Sequence, residues 1–291
     1  MPDTRPADVS RVPADVAPRQ SAITRVFDTL RAAGRPGLVT YVTAGDPDLP
    51  RSAAVLAAAD RGGADIIEVG VPFSDPMADG PVIQRATERA LAAGTTLRHV
   101  LELVESVKPR IRAPLVLFTY ANPVMRLGVA EFAHEARRVG VDGVLVLDLP
   151  IEEAGELHTA LDANELDTIF LLSPTTTIER IRRAAALGRG FLYAISRLGV
   201  TGARETLADG AQSLVGHIRG ETTLPIALGF GISRPEHVAE VGRSADAVVV
   251  GSALVSVVAE HRDRPTLESA VESYVRWLKG GQPAFDVTEP V

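Results

Sequence analysis

A short apolar run that follows a helical pattern and a turn of small residues recurs eight times along this sequence. The eight runs predict strands at residues 38–43, 66–68, 115–119, 143–147, 168–172, 191–195, 225–228 and 245–250. Strands that alternate with helices form parallel sheets, and eight of them within 291 residues fit one barrel closed on itself. We therefore predict an α/β fold of the (β/α)8 TIM-barrel type in a single domain.

The alternative architecture is a doubly wound open sheet. Such a sheet usually binds a nucleotide at a Gly-rich loop after its first strand. The corresponding loop here, Ala44-Gly45-Asp46-Pro47, lacks that pattern, so the barrel is favoured.

Apolar residues at helical spacing predict the helices between the strands. They are expected at residues 51–61, 96–107, 130–139, 152–164, 178–187, 207–218 and 235–241, with a final helix at 266–279. An extra N-terminal helix is predicted at 21–33, and a short helix that opens at Ser252 is expected after the eighth strand.

The predicted barrel occupies residues 21–280, between a leader of residues 1–20 and a tail of residues 281–291. The leader is rich in Pro, Asp and Arg and has no apolar core, which predicts a disordered segment rather than a signal peptide. The most apolar stretch, residues 247–259, is too short to span a membrane. We expect a cytoplasmic protein.

Charge and composition exclude several kinds of site. A formal net charge of −7 argues against sequence-independent binding of nucleic acid. Without cysteine there are no disulfides and no thiolate metal sites. The six histidines lie in predicted helices and lack the paired spacing of metal ligands, so we predict no metal.

An acid interrupts the second strand just before a stiff loop. Glu68 follows two isoleucines, and the loop after it holds Asp75 and Asp79 among prolines and glycines. Burying a carboxylate is costly, so an ordinary strand would have an aliphatic residue there. We interpret Glu68, at the end of its strand, and the aspartates as a functional group of carboxylates. The alternative is a strand that ends in solvent, followed by turn residues.

Active sites of (β/α)8 barrels lie at the C-terminal ends of the strands. That rule places further polar residues beside Glu68, namely Tyr120 and Asn122 after strand three, Asp148 after strand four and Ser196-Arg197 after strand six. The alternative roles are rim packing for Tyr120 and turn formation for Asn122 and Asp148.

Glycine-rich segments follow the last three strands. They are Gly199-Val200-Thr201-Gly202, Gly229-Phe230-Gly231-Ile232-Ser233 and Gly251-Ser252. Glycine lets backbone N–H groups approach an anion, and loops seven and eight with a short helix bind phosphate in this fold. We predict a phosphate site, although tight turns would use the same residues. Residues 196–205 suit a lid or, alternatively, an ordinary exposed loop.

Taken together, these motifs resemble the tryptophan synthase alpha chain family. The longest match is Glu68-Val-Gly-Val-Pro-Phe-Ser-Asp-Pro-Met-Ala-Asp79-Gly-Pro. The others, in order, are Thr43-Ala-Gly-Asp-Pro, Tyr120-Ala-Asn-Pro, Ser196-Arg197 with Gly199-Val-Thr-Gly-Ala, and Gly229-Phe-Gly-Ile-Ser. The resemblance extends from about residue 23 to residue 279.

The resemblance implies a lyase that cleaves indole-3-glycerol phosphate by retro-aldol chemistry into indole and glyceraldehyde 3-phosphate. Glu68 would act as acid and base, and Asp79 would stabilise positive charge at the indole N–H. Thr201 would contact Asp79 when a lid that includes Arg197 closes. Tyr41 and Tyr120 would line the indole pocket, and the phosphate would be held by Gly202, Phe230, Gly231, Gly251 and Ser252.

A partner is implied as well, a beta chain that contains pyridoxal phosphate and converts the indole to L-tryptophan within an α2β2 heterotetramer. Asp75 and Asn122 resemble positions that face this partner, and the alpha chain itself would need no cofactor. Tyr41 departs from the many members with Phe, which adds a hydroxyl to an apolar pocket. Two alternatives stay open: a free-standing lyase that releases indole, and a non-catalytic phosphate-ligand barrel that acts as a regulatory subunit.

Overall fold

Eight parallel strands pair in chain order and close into a barrel. The computed structural model describes residues 20–195, 207–229 and 231–282. The strands are β1 (Gly37–Thr43), β2 (Ile66–Gly70), β3 (Leu115–Thr119), β4 (Gly143–Val146), β5 (Asp167–Leu172), β6 (Leu192–Ile195), β7 (Ile226–Gly229) and β8 (Ala247–Val250). β8 pairs with β1, with Val248 opposite Leu38. The predicted barrel is confirmed and the open sheet is excluded.

Side chains alternate between the inside of the barrel and the helical layer, because successive residues of a strand point to opposite faces. The inside is filled mainly by aliphatic and a few aromatic residues: Val39, Tyr41, Ile66, Val116, Phe118, Leu145, Ile169, Tyr193, Ala227, Ala247 and Val249. The outward residues of the same strands, such as Leu38 and Ile67, pack against the helices. This alternation decides which polar side chains reach the inside.

Helices surround the strands as predicted, with two additions. The helices are α1 (Ala22–Ala32), α2 (Leu49–Gly62), α3 (Pro81–Ala92), α4 (Leu97–Val107), α5 (Ala121–Leu127), α6 (Val129–Arg138), α7 (Gly155–Ala163), α8 (Ile178–Leu187), α9 (Leu207–Arg219), α10 (Pro235–Val241), α11 (Ser252–His261) and α12 (Leu267–Leu278). α3 and α5 were not predicted. None of the helices in these ranges has the length and apolarity needed to cross a membrane.

The N-terminal helix α1 closes the barrel at the end where the strands begin. Its Phe27 ring lies 5.7 Å from the ring of Phe191, just before β6. Leu30 packs at Gly37, the first residue of β1, and Ile23 packs at Gly143, the first residue of β4. The predicted extra helix is therefore confirmed. The predicted leader and tail concern mostly residues outside the described ranges and stay predictions.

α3 lies across the opposite end of the barrel, where the strands finish. Its Ala86 is buried among the side chains inside the barrel, and Val82 and Ile83 pack against the same cluster. α3 contacts β1 and α11, whereas α4 packs beside α2 in the helical layer. α3 therefore covers part of the face at which a (β/α)8 barrel places its active site.

Candidate active site

Glu68 lies inside the barrel and is completely buried. It is the third of five residues of β2, so the prediction that it ends the strand is wrong: Val69 and Gly70 continue the pairing with β1. Neither carboxyl oxygen has a hydrogen-bond partner among the described residues. Burial penalises the charged form and raises the pKa of Glu68 to about 8. At pH 7 most molecules therefore hold this carboxyl protonated.

Asp79 lies half-buried in the loop between β2 and α3. The Tyr120 hydroxyl donates a hydrogen bond of 3.1 Å to Asp79 Oδ2, and the Ala78 N–H donates to the Tyr120 oxygen at 3.3 Å. Burial raises the pKa of Asp79, while the Tyr120 hydrogen bond acts in the opposite direction. Tyr120 thus orients the Asp79 carboxyl and is itself buried.

Two buried tyrosines face the same interior from different sides of the barrel. The Tyr41 ring meets Phe118 edge to face at 5.1 Å, and its pKa is raised first by burial and then by the charge of Asp79. Burial also raises the pKa of Tyr193, with the charge of Glu68 as the next cause. Both phenols therefore stay neutral and share the electrostatic environment of the two acids.

Tyr193 was not predicted as a site residue. It lies in the middle of β6, two residues before the strand ends, in an apolar run that looks like core. The signal that identifies it is the alternation of side chains, which places it inside the barrel.

Glycines at two strand ends make room for the tyrosine hydroxyls. A Cβ atom at Gly70 would lie 2.1 Å from the Tyr41 hydroxyl, and one at Gly229 would lie 2.5 Å from the Tyr193 hydroxyl. Real side chains do not approach so closely, so both positions require glycine while the tyrosines keep these places. The glycines therefore set how deep each phenol lies inside the barrel.

The predicted phosphate residues are partly within the described ranges. Gly251 is the N-cap of α11 and provides no side-chain cap, so the first N–H groups of the helix are left for other acceptors. Ser252, the first helical residue, is exposed, and Gly231 is exposed with φ of +47°. Residues 196–206, which include Arg197, Thr201 and Gly202, and residue Phe230 lie outside the described ranges.

The remaining predicted polar residues lie at the rim. Asp75 is exposed and accepts a hydrogen bond of 2.7 Å from the Ser74 hydroxyl. Asn122 is exposed on the first turn of α5. Asp148 Oδ1 accepts a hydrogen bond of 2.6 Å from the N–H of Ala121, so this carboxylate holds the start of α5.

The described residues contain no group of three or more His, Cys, Asp or Glu side chains arranged to hold a metal ion. The expectation of a site without metal stays a prediction, since part of the chain lies outside those ranges.

Several known proteins are similar in sequence to this chain. The model of the family described as tryptophan synthase alpha chain matches residues 27–279. The tryptophan synthase alpha chain of Solibacter usitatus is 49% identical over 259 residues, which cover 89% of this chain and 97% of the relative. That of Methylococcus capsulatus is 50% identical over 267 residues, or 91% of this chain and 99% of the relative.

Solved structures agree with the sequence comparison. The chain is similar to tryptophan synthase subunit alpha from Legionella pneumophila, with a TM-score of 0.84, 33% identity, and coverage of 90% of this chain and 98% of that one. It is also similar to a chain of Mycobacterium tuberculosis tryptophan synthase, with a TM-score of 0.82, 38% identity, and coverage of 92% and 100%.

Proposed function

The chain belongs to the tryptophan synthase alpha chain family, and on that premise we propose that Glu68 and Asp79 carry out its reaction. The reaction is the cleavage of indole-3-glycerol phosphate into indole and glyceraldehyde 3-phosphate. The chain is accordingly a lyase of tryptophan biosynthesis.

The single observation that best supports the proposal is the buried, unpaired carboxyl of Glu68. The carbon–carbon bond can break only after C3 of the indole ring gains a proton, and a hydroxyl of the glycerol side chain must lose one. With its pKa raised to about 8, Glu68 is mostly protonated at pH 7 and can deliver the first proton. The carboxylate that results accepts the hydroxyl proton, which restores the starting state.

Asp79 is assigned to the charge that appears during this step. Protonation at C3 makes the indole ring cationic, and the ring N–H becomes strongly acidic. A carboxylate fixed beside that N–H stabilises the transition state more than the ground state. The hydrogen bond from Tyr120 supports this role because it orients the carboxylate and favours its charged form.

The rest of the substrate is assigned to the end of the barrel where the strands finish. Tyr41, Tyr120 and Tyr193 would line the indole pocket. Gly231, Gly251 and Ser252 would bind the phosphate, with support from the uncapped start of α11. Four further roles rest on sequence motifs alone. They are phosphate binding by Gly202 and Phe230, and membership of the lid for Thr201 and Arg197.

The same face is proposed to bind a beta chain that contains pyridoxal phosphate, in an α2β2 assembly in the cytoplasm. Among the described residues, Met77 is 88% exposed and Met125 is 51% exposed. Met77 lies two residues from Asp75, and Met125 lies three residues from Asn122 on α5. Exposed methionines beside polar rim residues are typical of a protein interface. The alpha chain itself would need no cofactor.

The assay that tests the proposal measures indole release from indole-3-glycerol phosphate by the purified chain, with and without its beta chain. Slow turnover alone with strong stimulation by the partner is the expected result. Rapid turnover that the beta chain does not change would favour the free-standing lyase. No turnover in either condition would leave a non-catalytic phosphate-ligand barrel.

The Glu68→Gln variant tests the acid in the same assay. Loss of the proton donor should lower the rate about 10²- to 10⁴-fold. Turnover at the wild-type rate would remove Glu68 from the mechanism, whichever partner arrangement holds.

A further inference from the structure

An ion pair joins α3 to the loop after β1, at the end of the barrel that holds the candidate site. Arg89 donates from Nε to Asp46 Oδ1 and from Nη2 to Asp46 Oδ2, both at 2.8 Å. The Asp46 side chain is 2% exposed, whereas Arg89 is partly buried. Two parallel charge-assisted hydrogen bonds fix both the distance and the orientation of the helix relative to the loop.

The loop that holds Asp46 is itself firmly placed. The N–H of Gly45 donates a hydrogen bond of 3.1 Å to the Ser52 hydroxyl at the start of α2. Thr95, in the turn between α3 and α4, lies directly against Gly45, where a Cβ atom would come within 2.1 Å of its hydroxyl. The loop is thus held from two sides, so the position of the Asp46 carboxylate that binds Arg89 of α3 is fixed.

At its N-terminal end, α3 contacts two parts of the candidate site, the loop that holds Asp79 and the start of α11. Its N-cap is Gly80, the residue after Asp79, and Gln84 donates from its side chain to the Asp79 carbonyl at 2.9 Å. Ile83 lies 3.8 Å from the place of a Cβ atom at Gly251, the N-cap of α11. A shift of α3 would therefore move the Asp79 carboxylate and the start of α11 together.

We propose that Asp46 and Arg89 form a positioning pair for the reaction, one that fixes α3 and through it both Asp79 and the phosphate-binding start of α11. Neither residue touches the substrate. The inference rests on the proposed function, because it concerns the placement of residues assigned there.

The test compares Arg89→Met, Arg89→Lys and Asp46→Asn with Arg85→Met as the matched control. Arg85 is an exposed arginine on the same helix, and the described residues provide it with no ion pair. Steady-state cleavage of indole-3-glycerol phosphate gives kcat and KM in the presence of the beta chain. Calorimetric titration with glycerol 3-phosphate reports the phosphate site separately.

We expect Arg89→Met to lower kcat/KM about 10- to 100-fold, because displacement of a catalytic group by about 1 Å has effects of that order. Both kcat and the affinity for glycerol 3-phosphate should fall, because α3 contacts the Asp79 loop as well as the start of α11. Arg89→Lys, which keeps the charge but not the two-point contact, should lie between the wild type and Arg89→Met. Arg85→Met should behave as the wild type.

A double variant shows whether the two residues act as one unit. Asp46→Asn combined with Arg89→Met should be no slower than the worse single variant, because the first change already breaks the pair. Each variant is assayed below its own thermal unfolding transition, so that loss of folded protein does not count.

Unchanged kcat and glycerol 3-phosphate affinity in Arg89→Met, with only a lower unfolding temperature, would overturn the inference and leave a purely structural pair. Additive effects of the two substitutions would overturn it as well. If the wild type failed to cleave the substrate, the proposed function would fail instead, and the two failures are thereby distinguished.

Discussion

Asp79 differs from Glu68 in having a defined hydrogen-bond partner. Tyr120 holds one oxygen of Asp79, while Glu68 has no partner among the described residues. This difference fits the two proposed roles, an oriented carboxylate for Asp79 and a proton donor for Glu68.

Replacement of Asp79 by Asn should separate binding from catalysis. The amide has nearly the same shape and keeps the contact with Tyr120, but it offers no charge to the cationic ring. We expect kcat to fall about 10²- to 10³-fold with little change in substrate affinity. The measurement is single-turnover indole formation at saturating substrate, with Glu88→Gln on α3 as an exposed control. Normal turnover would contradict the role of Asp79.

A methyl group at Gly70 should disturb the site without touching either acid. The new Cβ would lie 2.1 Å from the hydroxyl and 2.4 Å from Cζ of Tyr41, so the ring must move. We expect kcat/KM of Gly70→Ala to fall by about 100-fold. Gly155→Ala is the control, because Gly155 is exposed at the start of α7, away from the site, and nothing lies within 4 Å of its Cβ position. Equal activities would show that the Tyr41 ring has no fixed place in the site.

The sequence indicated the two acids because both interrupt an apolar or Pro-rich context. It could not indicate Tyr193, since a tyrosine within an apolar strand looks like core until the side-chain alternation is known. The pair of Asp46 and Arg89 was equally hidden. The two residues are 43 positions apart, and only the placement of α3 brings them together.

Among the elements, α3 and α5 were the ones that the sequence did not reveal. A (β/α)8 pattern needs only one helix between consecutive strands. The helix predicted at 96–107, which is α4, already met that need between β2 and β3. α3 follows a Pro-rich loop, and its exposed side is charged. Its inward residues Val82, Ile83 and Ala86 form only a short apolar stripe, which does not stand out in the sequence. They are enough because the helix lies on the open end of the barrel rather than in the helical layer.

α1 provides the clearest stability prediction among the elements. Phe27 is 2% exposed and fills the end of the barrel opposite the site, so Phe27→Ala leaves a cavity there. We expect a loss of about 3–5 kcal/mol in the free energy of unfolding, measured by urea denaturation, with kcat nearly unchanged in the folded protein. Thr29→Ala, at an exposed position of the same helix, should change stability by about 0.5 kcal/mol or less. Equal unfolding midpoints would mean that α1 does not close the barrel in solution.

At the scale of the whole molecule, the architecture was predictable because each strand is short, apolar and followed by a polar loop. The errors in the strands lay at their ends, where pairing rather than composition decides the last residue. Glu68 illustrates this, since β2 continues through Gly70 despite the buried acid.

The buried acid should also make global stability depend on pH. The pKa of Glu68 is about 8 in the folded chain and near its ordinary value in the unfolded chain, so between these values the folded state binds more protons. Stability then falls as pH rises through this window and levels off above it. The wild type should lose on the order of 3 kcal/mol more than Glu68→Gln between about pH 5 and pH 8.

Urea denaturation of both proteins across that range measures the difference. Because Gln does not titrate, other groups cancel in the comparison. Parallel stability curves would show that Glu68 ionises in the folded protein as easily as in the unfolded chain, which would contradict its raised pKa.

The inside of the barrel is filled mainly by aliphatic residues with a few Tyr and Phe, and the sequence contains a single tryptophan, Trp277, which lies on α12 outside the strands. A ribosome that makes these 291 residues therefore meets one tryptophan codon. When free tryptophan falls, proteins rich in that residue are the first to stall in translation. A core with few aromatic residues and no tryptophan thus lets the cell keep producing the enzyme during a shortage of the amino acid that its pathway makes.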